Sequence, residues 1–131
     1  MVQTGKFLYE ELSHHVIGCA MEVHRTLGNG FQEVIYQRAL AIELEIAGIS
    51  FVREIEMEIF YKGRHVGTRR ADFFVEGKMI LELKAQIQLD DAHLAQTMNY
   101  LEAYEKEVGL LINFGARSLQ FKRVHNNKLR P

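Results

Sequence analysis

The chain has 131 residues, 47% hydrophobic and 25% charged, which describes one ordinary globular domain with enough apolar residues for a core. A formal net charge of -1 excludes a global field drawing the protein to nucleic acid or membrane, so any such attraction must come from a local patch. A single cysteine, Cys19, excludes an internal disulfide; with no signal-peptide pattern and no bilayer-length apolar run, a cytoplasmic location without a membrane partner is expected.

Residues 1–12 are a weakly patterned lead-in, after which Ser13 is placed to cap a helix running to about Leu27. Val16, Ile17, Ala20, Val23, His24 and Leu27 recur at helical spacing and form one apolar stripe. Cys19 reads as a small core residue on this helix, and His24 as a hydrogen-bonded core histidine. Gly28-Asn29-Gly30 ends the helix, because Gly and Asn tolerate left-handed backbone angles. A second helix follows from about Phe31 to Ala47 and stops at Gly48. Glu33 lies in its first turn, where the helix dipole favours a carboxylate. Glu33 also falls on one side with Tyr36, Gln37, Leu40 and Leu44, at the edge of the core-facing stripe, from which it can lean over a sheet.

Phe51 to Glu54 reads as a short extended lead, Glu56 to Tyr61 as a strand, and Lys62-Gly63-Arg64 as its turn. His65 to Thr68 then leads into a hairpin, Arg69 to Lys84, that turns at Glu76-Gly77-Lys78. Side chains alternate faces along a strand. Arg70, Asp72 and Phe74 therefore share one face, and Glu82 and Lys84 share one face of the second strand. If these faces coincide, two carboxylates and an ammonium converge, the minimum set for holding a hard divalent cation beside a phosphate. The plainer alternative is a solvated face with a cross-strand ion pair. Against it, Phe73, Phe74, Ile80, Leu81 and Leu83 mark strands covered on both faces, where charges are costly unless paired or bound to an ion.

Asp90 or Asp91 caps a third helix to about Tyr104, with Leu94, Met98 and Leu101 as its apolar stripe and Gln96 and Tyr100 on a neighbouring face. Val108 to Gly115 is an apolar strand of the buried kind, Ser118 to Val124 a last strand, and 126–131 a frayed tail. The helix between Lys84 and Val108 can serve as a crossover between parallel strands, so a mixed sheet with helices on its faces is expected. From Leu110 onward there is no Asp or Glu. Lys122 and Arg123, with Arg69 and Arg70, are the candidates for phosphate-backbone contacts; a solvated strand edge blunted by lysine is the alternative.

Taken together, these residues resemble a known family. Gly30-x-x-Glu33-x-x-Tyr36 is similar to the motif for which the GxxExxY family is named, and Asp72 followed by Glu82-Leu83-Lys84 resembles the PD-(D/E)xK nuclease core to which that family is assigned. Gln96-x-x-x-Tyr100 and the run Gly109 to Gly115 match as well, so the resemblance extends from about Leu12 to His125. The loop has Asn29 where the family often has Pro, and Arg70-Ala71 precede Asp72 in place of the Pro of better-studied relatives.

The resemblance implies an α/β (α+β) fold with a restriction-endonuclease-like αβββαβ core, filling one domain over 1–131. It implies that Asp72 and Glu82 are metal ligands, helped by the main-chain carbonyl of Leu83. Lys84 would polarise the attacking water or stabilise the charged transition state. Glu33 would orient a metal-bound water or a second ion, and Gln96 would hold Lys84 or the water in place, with Tyr100 supporting. Mg²⁺ or Mn²⁺ suits this set, since Mg²⁺ takes only one or two carboxylates. Zinc does not, because Cys19 is alone and the six His show no ligand spacing. The expected function is a metal-dependent nuclease hydrolysing phosphodiester bonds in DNA. The rivals are a non-catalytic nucleic-acid- or protein-binding module on the same fold, and a nuclease-like subunit of a homodimer or larger assembly.

Overall fold

Apolar patterning assembles the chain into one mixed sheet between two helical layers. The computed structural model describes residues 9–103 and 105–126. In order, the elements are α1 (Glu10–Leu27), α2 (Glu33–Ile46), β1 (Phe51–Tyr61), β2 (Arg64–Val75), β3 (Met79–Lys84), α3 (Asp91–Ala103), β4 (Val108–Asn113) and β5 (Gln120–His125). The sheet order is β1-β2-β3-β4-β5; β3 and β4 run parallel and every other neighbouring pair is antiparallel. Helix α3 is the crossover that the parallel pair requires. From α2 to β4 this is the expected αβββαβ core, in an α+β, restriction-endonuclease-like arrangement.

The stripes of α1 and α2 cover one face of the sheet. Val16, Ala20 and Val23 of α1 and Tyr36, Leu40 and Leu44 of α2 pack with Phe73, Leu81, Leu83, Leu110 and Ile112. The opposite face takes α3, where Leu101 joins Met57, Ala71, Ile80 and Val124, with Leu94 and Met98 at the margin. Strand β4 is buried along its whole length and β3 up to Lys84, as their near-continuous apolar runs require.

Two side chains tie the first loop to the sheet. The Tyr36 hydroxyl donates to Gly28 O at 2.6 Å and accepts from Phe31 N–H at 3.1 Å, while its ring stacks on Phe114 at 4.7 Å. The start of α2, and with it Glu33, is thereby fastened to the end of β4. A ring nitrogen of His24 lies 2.9 Å from Ala116 O, the hydrogen-bonded core histidine expected from the stripe.

Several boundaries differ from expectation. Ser13 is not a cap: α1 begins at Glu10, and the Ser13 hydroxyl donates back to Tyr9 O at 3.0 Å within the first turn. A buried serine with an accessible carbonyl four residues back satisfies itself inside a helix. The extended lead and strand from Phe51 form one eleven-residue strand, because β2 starts at Arg64, five residues before the expected hairpin, and partners it throughout. The last strand is shifted to Gln120–His125. Asn126 is not frayed; it is buried, with its N–H on Glu107 O and its side-chain amide on Leu101 O. The rest of the expected tail, 127–131, and most of the lead-in, 1–8, lie outside the described residues. Among the described residues no helix is long and apolar enough to cross a membrane.

Candidate active site

The site forms where the β2–β3 ladder stops. Cα pairing runs Val75–Met79, Phe74–Ile80 and Phe73–Leu81. Just beyond the last of these pairs, Asp72 Oδ2 accepts the main-chain N–H of Leu83 at 2.8 Å. A carboxylate thus takes the place of a ladder acceptor and lies across the start of the Glu82-Leu83-Lys84 run. Its other oxygen, Oδ1, accepts from Gln37 Nε2 at 2.9 Å, and Arg53 Nη2 donates to Gln37 Oε1 at 3.1 Å.

Glu82 is 7% exposed, and its Oε1 is buried with no hydrogen-bond partner among the described residues. Burial, then the Asp72 and Glu33 carboxylates, push its pKa up to about 8 against the pull of Lys84 and Arg69. Burial raises Asp72 too, opposed by the bonds from Leu83 and Gln37 and by Lys84, with Glu54 adding to the rise. Glu33, half-buried at the start of α2, is raised by burial and by Asp72, and held down by Lys84 and His93. Three carboxylates and one ammonium therefore share a field: the sheet and α2 bring Glu33, Asp72, Glu82 and Lys84 within electrostatic reach of one another.

These donors suit a hard divalent cation. All are oxygens, two come from adjacent strands, and one carboxylate oxygen is buried without a partner, which costs free energy that a cation would recover. Among the described residues no three His, Cys, Asp or Glu side chains stand as a ready-made ligand cluster.

The remaining candidates are distributed unevenly. Tyr100 is buried on α3; Arg69 donates to its hydroxyl and lies over its ring, 4.8 Å from the centroid. Gln96 is exposed, and no hydrogen bond joins it to Lys84 among the described residues; Thr97 takes the buried position beside it. Arg70 is exposed and pairs with Glu56 at 3.3 Å. Lys122 and Arg123 point to opposite faces of β5. Register places Glu82, Leu111 and Lys122 in one row across β3, β4 and β5, so Lys122 is on the carboxylate face. Leu81, Leu110 and Arg123 form the next row, on the α1 face, where Arg123 lines a cavity of about 520 Å³ with Glu10, Ile17 and Met21. Burial there lowers the Arg123 pKa. The four basic candidates do not form one patch.

Three contributors escaped the sequence pattern. Gln37 was visible only as an amide on an apolar stripe, four residues after Glu33. Glu54, with φ 52 in the middle of β1, faces Asp72 and gave no signal. Asn113, the ladder partner of Lys84, is fully buried and grips the following loop, accepting from Gln86 N–H at 2.8 Å and donating to Gln86 O at 2.9 Å. A lone amide closing an apolar strand was its only trace.

The family model described as the PD-(D/E)XK nuclease superfamily matches residues 10–124. Among solved structures, the crystal structure of SSO0001 is similar, with a TM-score of 0.57 and 19% identity, over 90% of this chain. At that identity the likeness concerns the fold. This chain spans 59% of the length of that one. No curated protein matches.

Proposed function

This chain belongs to the PD-(D/E)XK nuclease superfamily, and from that membership we propose that it is a Mg²⁺- or Mn²⁺-dependent nuclease of the GxxExxY branch, acting on DNA in the cytoplasm as a single domain. The observation that carries the reading is the buried, unpartnered Glu82 oxygen set among Asp72 and Glu33. So much like charge at one site is stable only with protons or a cation to balance it.

Asp72 and Glu82 would hold the ion with the main-chain carbonyl of Leu83. The N–H and C=O of a strand residue point to the same side, and the Leu83 N–H faces Asp72. When bound, a divalent cation supplies Lewis-acid stabilisation of the phosphoryl oxygens and acidifies a bound water. The chain's own residues do the rest. Lys84 carries its ammonium to the same face as Glu82, where it offsets charge developing on the phosphate and donates to the attacking water. Glu33 orients that water from the start of α2, or takes part in holding a second ion. Gln37 and Leu83 fix the Asp72 carboxylate, so it does not rotate when substrate enters. Tyr100 keeps the Arg69 guanidinium beside Glu82. Gln96, on the open side of α3, meets the water or the nucleic acid from solvent.

Divalent-metal calorimetry, followed by plasmid nicking with and without chelator, tests the reading. Mg²⁺ binding with chelator-sensitive nicking supports it. Absence of metal binding overturns it in favour of a binding module on the same fold. Metal binding without nicking overturns it as a self-sufficient enzyme and points to a subunit of a homodimer or larger assembly.

A further inference from the structure

The β1–β2 pair extends far past the sheet that holds the site. β2 pairs with β3 only through Phe73, Phe74 and Val75, whereas β1 accompanies it from Val75 to Arg64. Up to Arg69, which packs on Tyr100 beside its buried partner Met57, the pair is still held by the α3 side of the core; beyond Thr68 the two strands are a free-standing ribbon. Its tip is a two-residue turn, Lys62-Gly63, with φ 49 and φ 77. Positive angles at both central positions match the twist of a tight hairpin, and they hold Lys62 in a conformation that costs a non-glycine residue about 1 kcal/mol or more.

The ribbon is basic and partly apolar on the outside. Residues 59–70 hold four of the chain's sixteen Lys and Arg, namely Lys62, Arg64, Arg69 and Arg70, and none of its seventeen Asp and Glu. Glu56 and Glu58 stand across from Arg70 and Thr68, so the ribbon over 56–70 carries four basic and two acidic side chains, a net charge of +2 on a chain of net charge -1, with the excess at the tip. Phe60, Tyr61 and Val66 are 58%, 63% and 62% exposed, although nothing in the described structure covers them. The register also sorts the charges by face. Met57–Arg69, Ile59–Gly67 and Tyr61–Arg64 alternate with Glu56–Arg70, Glu58–Thr68 and Phe60–His65. The acids at the ribbon's root thus lie on one face. The other carries Arg64, Tyr61 and Arg69, and Arg69 is the arginine that reaches Tyr100 and acts on Glu82.

We propose that the β1–β2 ribbon is a nucleic-acid arm that lays its tip, Tyr61-Lys62-Gly63-Arg64, into the major groove of B-form duplex DNA beside the site of cleavage. A two-stranded ribbon fits a groove about 12 Å wide. The deep, narrow major groove of A-form RNA does not admit it. From Asp72 to Arg64 is eight residues, or about 26 Å of strand, which corresponds to roughly eight base pairs. The inference rests on the nuclease reading for the position of the cut, but the arm's binding does not depend on turnover.

The test uses the full chain carrying Lys84→Met, expected to slow cutting by roughly two to three orders of magnitude, with chelator present and a fluorescently labelled 24-base-pair duplex. It compares this protein with one that also carries Lys62→Asn and Arg64→Gln; Asn preserves the turn, and unchanged melting shows that the fold is intact. The arm predicts about a tenfold loss of DNA affinity and a salt slope lower by about two. It also predicts weak binding of duplex RNA that the tip substitutions do not alter, and loss of the difference on duplexes too short to reach the tip. An unchanged salt slope, or equal losses on DNA and RNA, overturns it. So does a change confined to sedimentation, which would make the tip a contact between copies of the chain. A wild-type protein that never cleaves but binds through the tip refutes the nuclease reading and leaves the arm. Cleavage with an unchanged slope does the reverse.

Discussion

The main-chain N–H of Leu83 donates to Asp72 Oδ2 at 2.8 Å, just beyond Phe73–Leu81, the last β2–β3 ladder pair. This bond joins the carboxylate of one strand to the Glu82-Leu83-Lys84 run of the next, and it separates the roles of neighbouring residues. Lys84→Met keeps most of the side-chain length and removes the charge. Mg²⁺ affinity by calorimetry should be unchanged or higher, since a repelling cation has gone, while nicking falls by roughly two to three orders of magnitude. Asp72→Asn should lose metal binding and nicking together. A Lys84→Met protein that nicks at the wild-type rate removes lysine from the mechanism.

Gln37 supports Asp72 without touching substrate. Gln37→Leu fills similar space but leaves Asp72 Oδ1 and the Arg53 guanidinium without their amide partner. Metal affinity should fall by about 10- to 100-fold and stability by about 1–3 kcal/mol. Calorimetry and urea melts read the two effects separately. Loss of stability with unaltered metal affinity would make Gln37 a packing residue only.

The state of Glu82 makes the site sensitive to pH. Its pKa is raised from the ordinary 4.5 to about 8, so the folded chain keeps a proton that the unfolded chain releases. Without metal, stability should therefore be greatest at the acid end of this range and fall as pH climbs from about 4.5 to about 8, which thermal melts across that range read as a falling Tm. Saturating Mg²⁺, which requires the ionised carboxylate, should flatten or reverse that trend, and binding at pH 7 should release a proton to the buffer. Glu82→Gln should remove the larger part of both effects, leaving the smaller share of Asp72 and Glu33, whose carboxyls burial also raises; an undiminished trend in that variant assigns it to another group.

Gly115 closes the loop that follows Lys84. A Cβ there would lie 2.4 Å from Gln86 N and O and 2.5 Å from Ala85 C, which are backbone atoms with no room to give. Gly115→Ala should cost about 1–3 kcal/mol and reduce nicking by displacing the loop beside Lys84. Gly30, although part of the GxxExxY pattern, meets nothing within 4 Å and has no positive φ. Gly30→Ala should leave melting unchanged, and equal losses from the two substitutions would contradict the packing argument.

Lys122 and Arg123 should part company. Lys122→Glu, on the carboxylate face, should weaken DNA binding and lower the salt slope by about one. Arg123→Glu, on the α1 face, should lower Tm and leave the slope alone. Equal effects on binding would restore the single patch expected from their adjacency.

Features that repeat within a few residues were legible in the sequence. Alternation along two short strands put Asp72 on one face of the first strand and Glu82 with Lys84 on one face of the second, since period two is a property of the local backbone. The stripe of α2 set Glu33 beside the core, and the helical stretch between Lys84 and Val108 foretold a parallel pair. The rest depended on which distant residues meet. Ser13 looked like a cap until Tyr9 O and Met79 were seen to take its hydroxyl. Lys122 and Arg123 were one patch until register across three strands sent them to opposite faces. Gln37 was an oddity on a stripe until it met Asp72, thirty-five positions away. The proton affinity of Glu82 arises from burial and from carboxylates on two other elements. Spacing records the direction in which a side chain leaves its own backbone; register, burial and field come from chain segments whose approach only the folded core determines.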